Sequence, residues 1–239
     1  MSAVPAAEPT PAPRSARGPR RGGDGGYISD VRLPVVLGAG VLILVVAVLA
    51  IRLAYGTSTD DDRPRALVLG DSITDHGQRV LRNTIGPLYT LSIEGQDNFR
   101  VDDQLPVAER WATRDFQQVV INLGTNDVVQ GWPVDQSAAG LQRMVDLFPG
   151  ATCIHLTTVS ETLPGRTSTT TADAASLNDT IRAMASNDPR LRIVDWNAIV
   201  LAQQERGVEL TSDGVHPTTE GQQLLVDAYE QSMGGCSGA

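Results

Sequence analysis

The stretch Arg65–Thr74, RALVLGDSIT, decides the architecture. Ala66–Leu69 is a short apolar run bounded by an arginine and a glycine, and it reads as a strand buried on both faces. It runs directly into Gly70-Asp71-Ser72, and helical spacing follows from about Thr74 to Asn83. A serine is thereby set at a strand-to-helix turn. Glycine permits the tight turn, the hydroxyl stands beyond the strand's end, and the N–H groups that open the helix face any anion formed there.

The same alternation continues outward. Tyr89–Ile93, Gln118–Leu123, Ala151–Val159 and Leu191–Val194 read as four more strands. Helical patterns lie between them at 104–113, at Val134–Leu147 and at about Thr171–Ser186, and a last one covers about Thr218–Met233. Residues 160–170 read as a polar loop. Five short apolar strands separated by helices predict an α/β domain whose five-stranded parallel sheet is covered on both faces. In such sheets active sites lie beyond the carboxyl ends of the strands.

Upstream the composition changes. Residues 1–32 are rich in Pro, Ala, Gly and Arg, lack an apolar period, and are expected to be a disordered tail. Leu33–Ile51 is uncharged and almost wholly apolar, bracketed by Arg32 and Arg52. In helical form it spans about 28 Å, which predicts a transmembrane signal-anchor helix over 33–53. Arg14, Arg17, Arg20, Arg21 and Arg32 precede it, against Arg52, Arg63 and Arg65 after it, a bias that favours a cytoplasmic N-terminus and an extracytoplasmic domain. The rival expectation is secretion after cleavage near Ala54-Tyr55-Gly56. Residues 54–64 read as a linker, with the folded domain spanning 65–239.

The charge is uneven along the 239 residues. All 19 basic residues are arginine; residues 1–56 carry 6 of them against 3 acids, and residues 57–239 carry 13 against 25. So acidic a domain excludes nucleic acid as a partner, because phosphate contacts need a basic surface. Cys153 and Cys236 are the only cysteines, and with no CxxC or Cys/His cluster a zinc site is not expected; the sequence names no metal and no cofactor. Two states of the pair remain open. A Cys153–Cys236 disulfide would tie the tail to the core outside the cytoplasm; otherwise Cys153 is a buried thiol and Cys236 incidental.

Two further clusters fall where chemistry would be placed. Asp213-Gly214-Val215-His216-Pro217 sets an acid three residues before a histidine, just ahead of the last helix. On a tight turn both can face one hydroxyl, with Asp213 orienting the imidazole and His216 accepting the proton of Ser72. Gly124-Thr125-Asn126-Asp127 ends the third strand, where the Asn126 amide can donate to an oxyanion. Singly, each has an ordinary reading: Ser72 as a helix cap, Asn126 and Asp213-Gly214 as turn residues. Their joint placement at strand ends and helix starts argues for function.

These three blocks (GDSIT at 70–74, GTND at 124–127 and DGVHP at 213–217) resemble the first, third and fifth conserved blocks of the SGNH/GDSL hydrolases, in the family's order. The resemblance covers about residues 65–234. It implies a flavodoxin-like three-layer sandwich and ester hydrolysis through an acyl-serine, with Ser72 as nucleophile and N–H donor, Asn126 as donor, Asp213 as orienting acid and His216 as base. The family's second block supplies a glycine N–H to the oxyanion hole. Gly95 fits the end of the second strand, whereas counting back from Asp103-Gln104-Leu105-Pro106 places Asn98 there; Gly95 is favoured because glycine lets a backbone N–H approach closely.

The expected function is therefore an extracytoplasmic serine esterase for short-chain acyl esters, acetyl groups on envelope glycans first and lysophospholipid or another lipid ester second. An acyltransferase on the same site and a non-catalytic glycan-binding module are the alternatives. His76 is a candidate for the pocket rim and Trp132 for the lining of the acyl or sugar pocket, whereas His155, Trp111 and Trp196 read as packing residues. The Asp60–Asp62 run reads as solvated linker. The sequence does not give the oligomeric state.

Overall fold

The computed structural model describes residues 62–164 and 170–236. The expected tail at 1–32, the anchor helix at 33–53, most of the linker at 54–64 and part of the polar loop lie outside the described residues. Among the described residues no helix is long and apolar enough to cross a membrane.

Five strands form one sheet: β1 (Arg65–Gly70), β2 (Thr90–Gly95), β3 (Gln118–Asn122), β4 (Cys153–Thr157) and β5 (Leu191–Val194). All neighbours pair in parallel, in the order β2-β1-β3-β4-β5. This is the flavodoxin-like order, in which the chain steps from β1 to one side for β2 and returns to the other for β3. Among the described residues seven helices surround the sheet: α1 (Ser72–Thr84), α2 (Val101–Trp111), α3 (Thr125–Gln130), α4 (Val134–Asp146), α5 (Thr170–Asn187), α6 (Trp196–Gln204) and α7 (Thr219–Gly234).

The apolar run of β1 explains the three layers. Alternate residues of a strand face opposite sides. Leu67 and Leu69 enter a core shared with Val119, Ile121, Ile154 and Leu156 of the sheet and with Val101, Leu141, Met144 and Leu177 of α2, α4 and α5. Ala66 and Val68 enter the other core, with Leu81 of α1, Val200 of α6 and Leu225, Tyr229 and Met233 of α7. A strand buried on both sides admits no polar alternation, which is why its sequence is continuously apolar.

The helix starts are tied down by side chains. Asp71 caps α1 by accepting the Ile73 N–H at 2.9 Å, Asp195 caps α6 through Ala198 at 3.1 Å, and Thr218 caps α7 through Gly221 at 3.1 Å. Such caps satisfy N–H groups that the first helical turn leaves without partners. Cys153 in β4 and Cys236 after α7 form a disulfide, with Cα atoms 6.3 Å apart. Of the two states left open by the sequence, the bridged one is present. His155 is fully buried in β4 and bonds Ser232 at 2.7 Å and Gln118 at 2.8 Å, so its role is in packing.

Candidate active site

Ser72 is the first residue of α1, immediately beyond β1, and is 7% exposed. Gly70 cannot be replaced without disturbance, since a Cβ there would lie 2.0 Å from Thr74 Oγ1 and 3.0 Å from the Asn122 carbonyl. The turn that presents the serine is therefore packed too tightly for any side chain.

His216 arrives from 144 residues away, and its Nε2 lies 2.9 Å from Ser72 Oγ. Its Nδ1 lies 2.7 Å from Asp213 Oδ2. The loop that carries both is a closed clip. Thr211 and Pro217 form an antiparallel bridge, Ser212 N–H donates to the His216 carbonyl at 2.8 Å, and Thr218 N–H donates to Leu210 at 2.7 Å. Inside the clip, Asp213 Oδ1 accepts the N–H groups of Val215 at 2.9 Å and His216 at 2.7 Å. Gly214 has φ +82°, a left-handed conformation that favours glycine, and a Cβ there would approach Pro164 Cδ to 2.7 Å. The hydrogen bond from the His216 side chain, joined by the two backbone donors, holds the Asp213 carboxyl well below the usual carboxylate range.

Asn126 is the second residue of α3, beyond the end of β3. Its Nδ2 donates to the Phe99 carbonyl at 3.0 Å and lies 3.5 Å from Asp71 Oδ2. Asp127 beside it accepts the Ser137 hydroxyl at 2.7 Å and the Val101 N–H at 3.1 Å, which fastens α3 to α2 and α4. Burial raises the Asp127 pKa. Asp71 is wholly buried behind the serine, and burial pushes its carboxyl up to about 7.

Ser72, Asn126, Asp213 and His216 thus line one cleft of about 560 Å³. It also contains His76, Asp97, Asn98, Val129, Pro164 and Val215. The expectation for Gly95 is corrected. Gly95 pairs with Gly70 across β2 and β1, and the next residue, Gln96, gives its N–H to the Gly70 carbonyl. Successive N–H groups of a strand point to opposite sides, so the Gly95 N–H points off the outer edge of the sheet. Gly95 lines a separate cavity of about 360 Å³. Its lack of a side chain serves packing, because a Cβ would sit 2.4 Å from the Asp75 backbone nitrogen at the start of α1. The cleft position belongs to Asn98, the one non-glycine with positive φ among the described residues, at 62°. Asn is among the few residues that tolerate this conformation.

His76 reaches the cleft as expected, with its ring 5.2 Å from that of His216. Trp132 does not line it; the Arg100 guanidinium lies 3.9 Å above its ring instead. Val129 and Pro164 had no motif to reveal them, since an apolar wall residue looks like any other apolar residue in sequence; Val215 sits inside the DGVHP block, which singles out its acid and its histidine but not the valine as a wall residue. Among the described residues, Asp75, His76 and Asp97 can bring one ligand atom each within 4.8 Å of one another. His76 and Asp97 are exposed, and the hydroxyl–imidazole–carboxylate line is complete without a metal.

A buried serine hydroxyl on an imidazole that is itself held by a carboxylate, set over helix N-termini, defines a serine hydrolase built on a three-layer α/β/α sandwich. The chain belongs to the GDSL-like lipase/acylhydrolase family, whose model matches residues 68–224. The N-acylneuraminate cytidylyltransferase of Streptococcus agalactiae serotype V is 24% identical over 165 residues, which cover 69% of this chain and 37% of the relative. This chain therefore spans only about a third of that curated protein's length. The C-terminal catalytic domain of peptidoglycan O-acetyltransferase A from Streptococcus pneumoniae shares the fold with a TM-score of 0.59 and 20% identity, covering 73% of this chain and 94% of that one. The acetylxylan esterase of Geobacillus stearothermophilus does so with a TM-score of 0.59 and 19% identity, covering 72% and 94%.

Proposed function

We propose that the protein is an extracytoplasmic serine esterase that removes short acyl groups, acetyl first among them, from glycan esters of the cell envelope. The observation that carries the catalytic part is the unbroken line from Ser72 Oγ to His216 Nε2 at 2.9 Å and from His216 Nδ1 to Asp213 at 2.7 Å. In this reading Ser72 attacks the ester carbonyl while His216 takes its proton, and Asp213 stabilises the imidazolium that forms. The backbone N–H groups of Ser72 and Asn98 and the Asn126 amide receive the oxyanion. His216 then returns the proton to the departing alkoxide, and a water deprotonated by His216 releases the acid.

Support for the location comes from the apolar segment Leu33–Ile51 and its arginine flanks. The Cys153–Cys236 disulfide agrees with an oxidising compartment. The absence of a long apolar insertion tilts the acyl preference toward small groups, and two fold neighbours are named for acetyl chemistry on glycans.

Assaying residues 57–239 with short p-nitrophenyl esters tests the mechanism. The wild type should turn over p-nitrophenyl acetate faster than longer esters, and Ser72→Ala should abolish turnover while keeping the circular-dichroism spectrum. Turnover by Ser72→Ala equal to wild type would remove Ser72 from the chemistry.

A further inference from the structure

The polar part of the cleft lining is a small cluster of its own. His76 Nε2 lies 3.5 Å from Asp97 Oδ1, and their side chains are 50% and 55% exposed. Asn98 follows directly in sequence and shares the cleft. The catalytic reading above gives none of the side chains of His76, Asp97 and Asn98 a part in bond making or breaking. The His76 and His216 rings are 5.2 Å apart and tilted by 33°.

That contact fixes which half of an ester these groups meet. His216 must hand its proton to the departing oxygen, so the alcohol has to lie against the His216 ring. His76 stands beside the same ring and Asp97 lies next to His76, and because both line the cleft they are within reach of the alcohol. A carboxylate accepts from two hydroxyls at once, and an imidazole adds a donor or an acceptor. This set matches neighbouring hydroxyls of a saccharide. A hydrocarbon or lipid alcohol would strip water from the Asp97 carboxylate and offer nothing in return, at a cost in free energy.

We propose that His76 and Asp97 form the alcohol subsite and select a polyhydroxylated, saccharide-type alcohol. The proposal rests on the catalytic reading above, and its test separates the two. Wild type, Asp97→Ala and His76→Phe, the last retaining an aromatic face toward His216, are assayed on an acetylated xylo-oligosaccharide and on p-nitrophenyl acetate. The readout is the ratio of the two kcat/KM values. Losing a hydrogen bond to a charged group corresponds to roughly 10–100-fold, so the ratio should fall by that factor in Asp97→Ala and clearly in His76→Phe, and Asp97→Glu should recover part of it.

An unchanged ratio in both variants overturns the subsite, as does a wild type that turns over p-nitrophenyl acetate but not the acetylated saccharide. Loss of the saccharide activity on adding EDTA, with recovery on adding a divalent cation, assigns Asp75, His76 and Asp97 to an ion and also overturns it. A Ser72→Ala variant run in parallel keeps the hypotheses apart. If it is as active as wild type, the catalytic reading fails; if it is inactive and the ratio is unmoved, the subsite alone fails.

Discussion

At the residue scale, the Asp213 carboxylate serves three donors within one tight loop: the His216 ring and the N–H groups of Val215 and His216. Replacing it by Asn preserves the size and some of the backbone contacts but allows the amide to donate toward Nδ1, which favours the wrong imidazole tautomer. Asp213→Asn should lower kcat by on the order of 10²–10⁴ with little change in KM, measured on p-nitrophenyl acetate. Asn126→Ala should lower kcat roughly 100–1,000-fold, the usual loss for one oxyanion donor. Smaller losses than tenfold in that variant would mean that the backbone donors suffice. The serine, the histidine and their acid are readable in sequence because the chemistry restricts residue type and the motifs mark strand ends. The backbone donor proposed at Asn98 is not, since a backbone N–H leaves no signature in residue identity. What decides between Gly95 and Asn98 is the direction of an N–H on an edge strand and a φ of 62°. Both are set by the β2 pairing and by the turn after it.

Among the elements, β2 and α1 are joined through a contact that no side chain can enter. Gly95→Ala would force a Cβ to 2.4 Å from the Asp75 backbone, at the start of the helix that carries Ser72. The variant should lose about 1–3 kcal/mol of stability, typical of overpacking, read from the urea midpoint. Activity should fall with it if the serine shifts. The strand β4 carries a different strain. Burial pushes the His155 imidazole down to about 4 from 6.5, so between these values the folded state binds fewer protons than the unfolded chain. Stability from this group is therefore present above pH 6.5 and is lost as the pH falls toward 4. Asp71, raised by burial to about 7 from 3.8, acts in the opposite sense over an overlapping window. The comparison must therefore be between variants: going from pH 7 to pH 4.5, wild type should lose roughly 2–3 kcal/mol more than His155→Gln. All five strands and the longer helices follow from periodicity, but α3 and α6 do not. Thr125-Asn126-Asp127 opens α3 with residues that favour turns, and its six positions are too few to show a period. The start of α6 depends on Asp195, whose side chain looks in sequence like one more acid of an acidic domain.

For the molecule as a whole, two cores on opposite faces of one sheet account for the fold, and the disulfide joins the sheet to the segment after α7. Closing a loop between cysteines 83 positions apart restricts the unfolded chain. A Cys153→Ala/Cys236→Ser double variant should lose about 2–5 kcal/mol, visible as a lower Tm, while the wild type should show the same drop only when reductant is present. An unchanged Tm would mean that α7 packing alone fixes the tail. The three-layer class was legible from the order of apolar runs. The pairing of the cysteines was not, because their proximity depends on how α7 crosses the sheet, which no local pattern encodes.

The same cross-link encloses a covalent ring that runs from β4 to the turn after α7. His216 and its acid lie on the ring, while Ser72 lies outside it. A protease that cuts the backbone once anywhere between residues 154 and 235 would leave two pieces that still migrate as one chain without thiol. A cut before His216 would leave the proton acceptor tied to β4 through the disulfide alone, so that reduction would sever it, whereas a cut after His216 would leave it joined to β4 by the backbone itself.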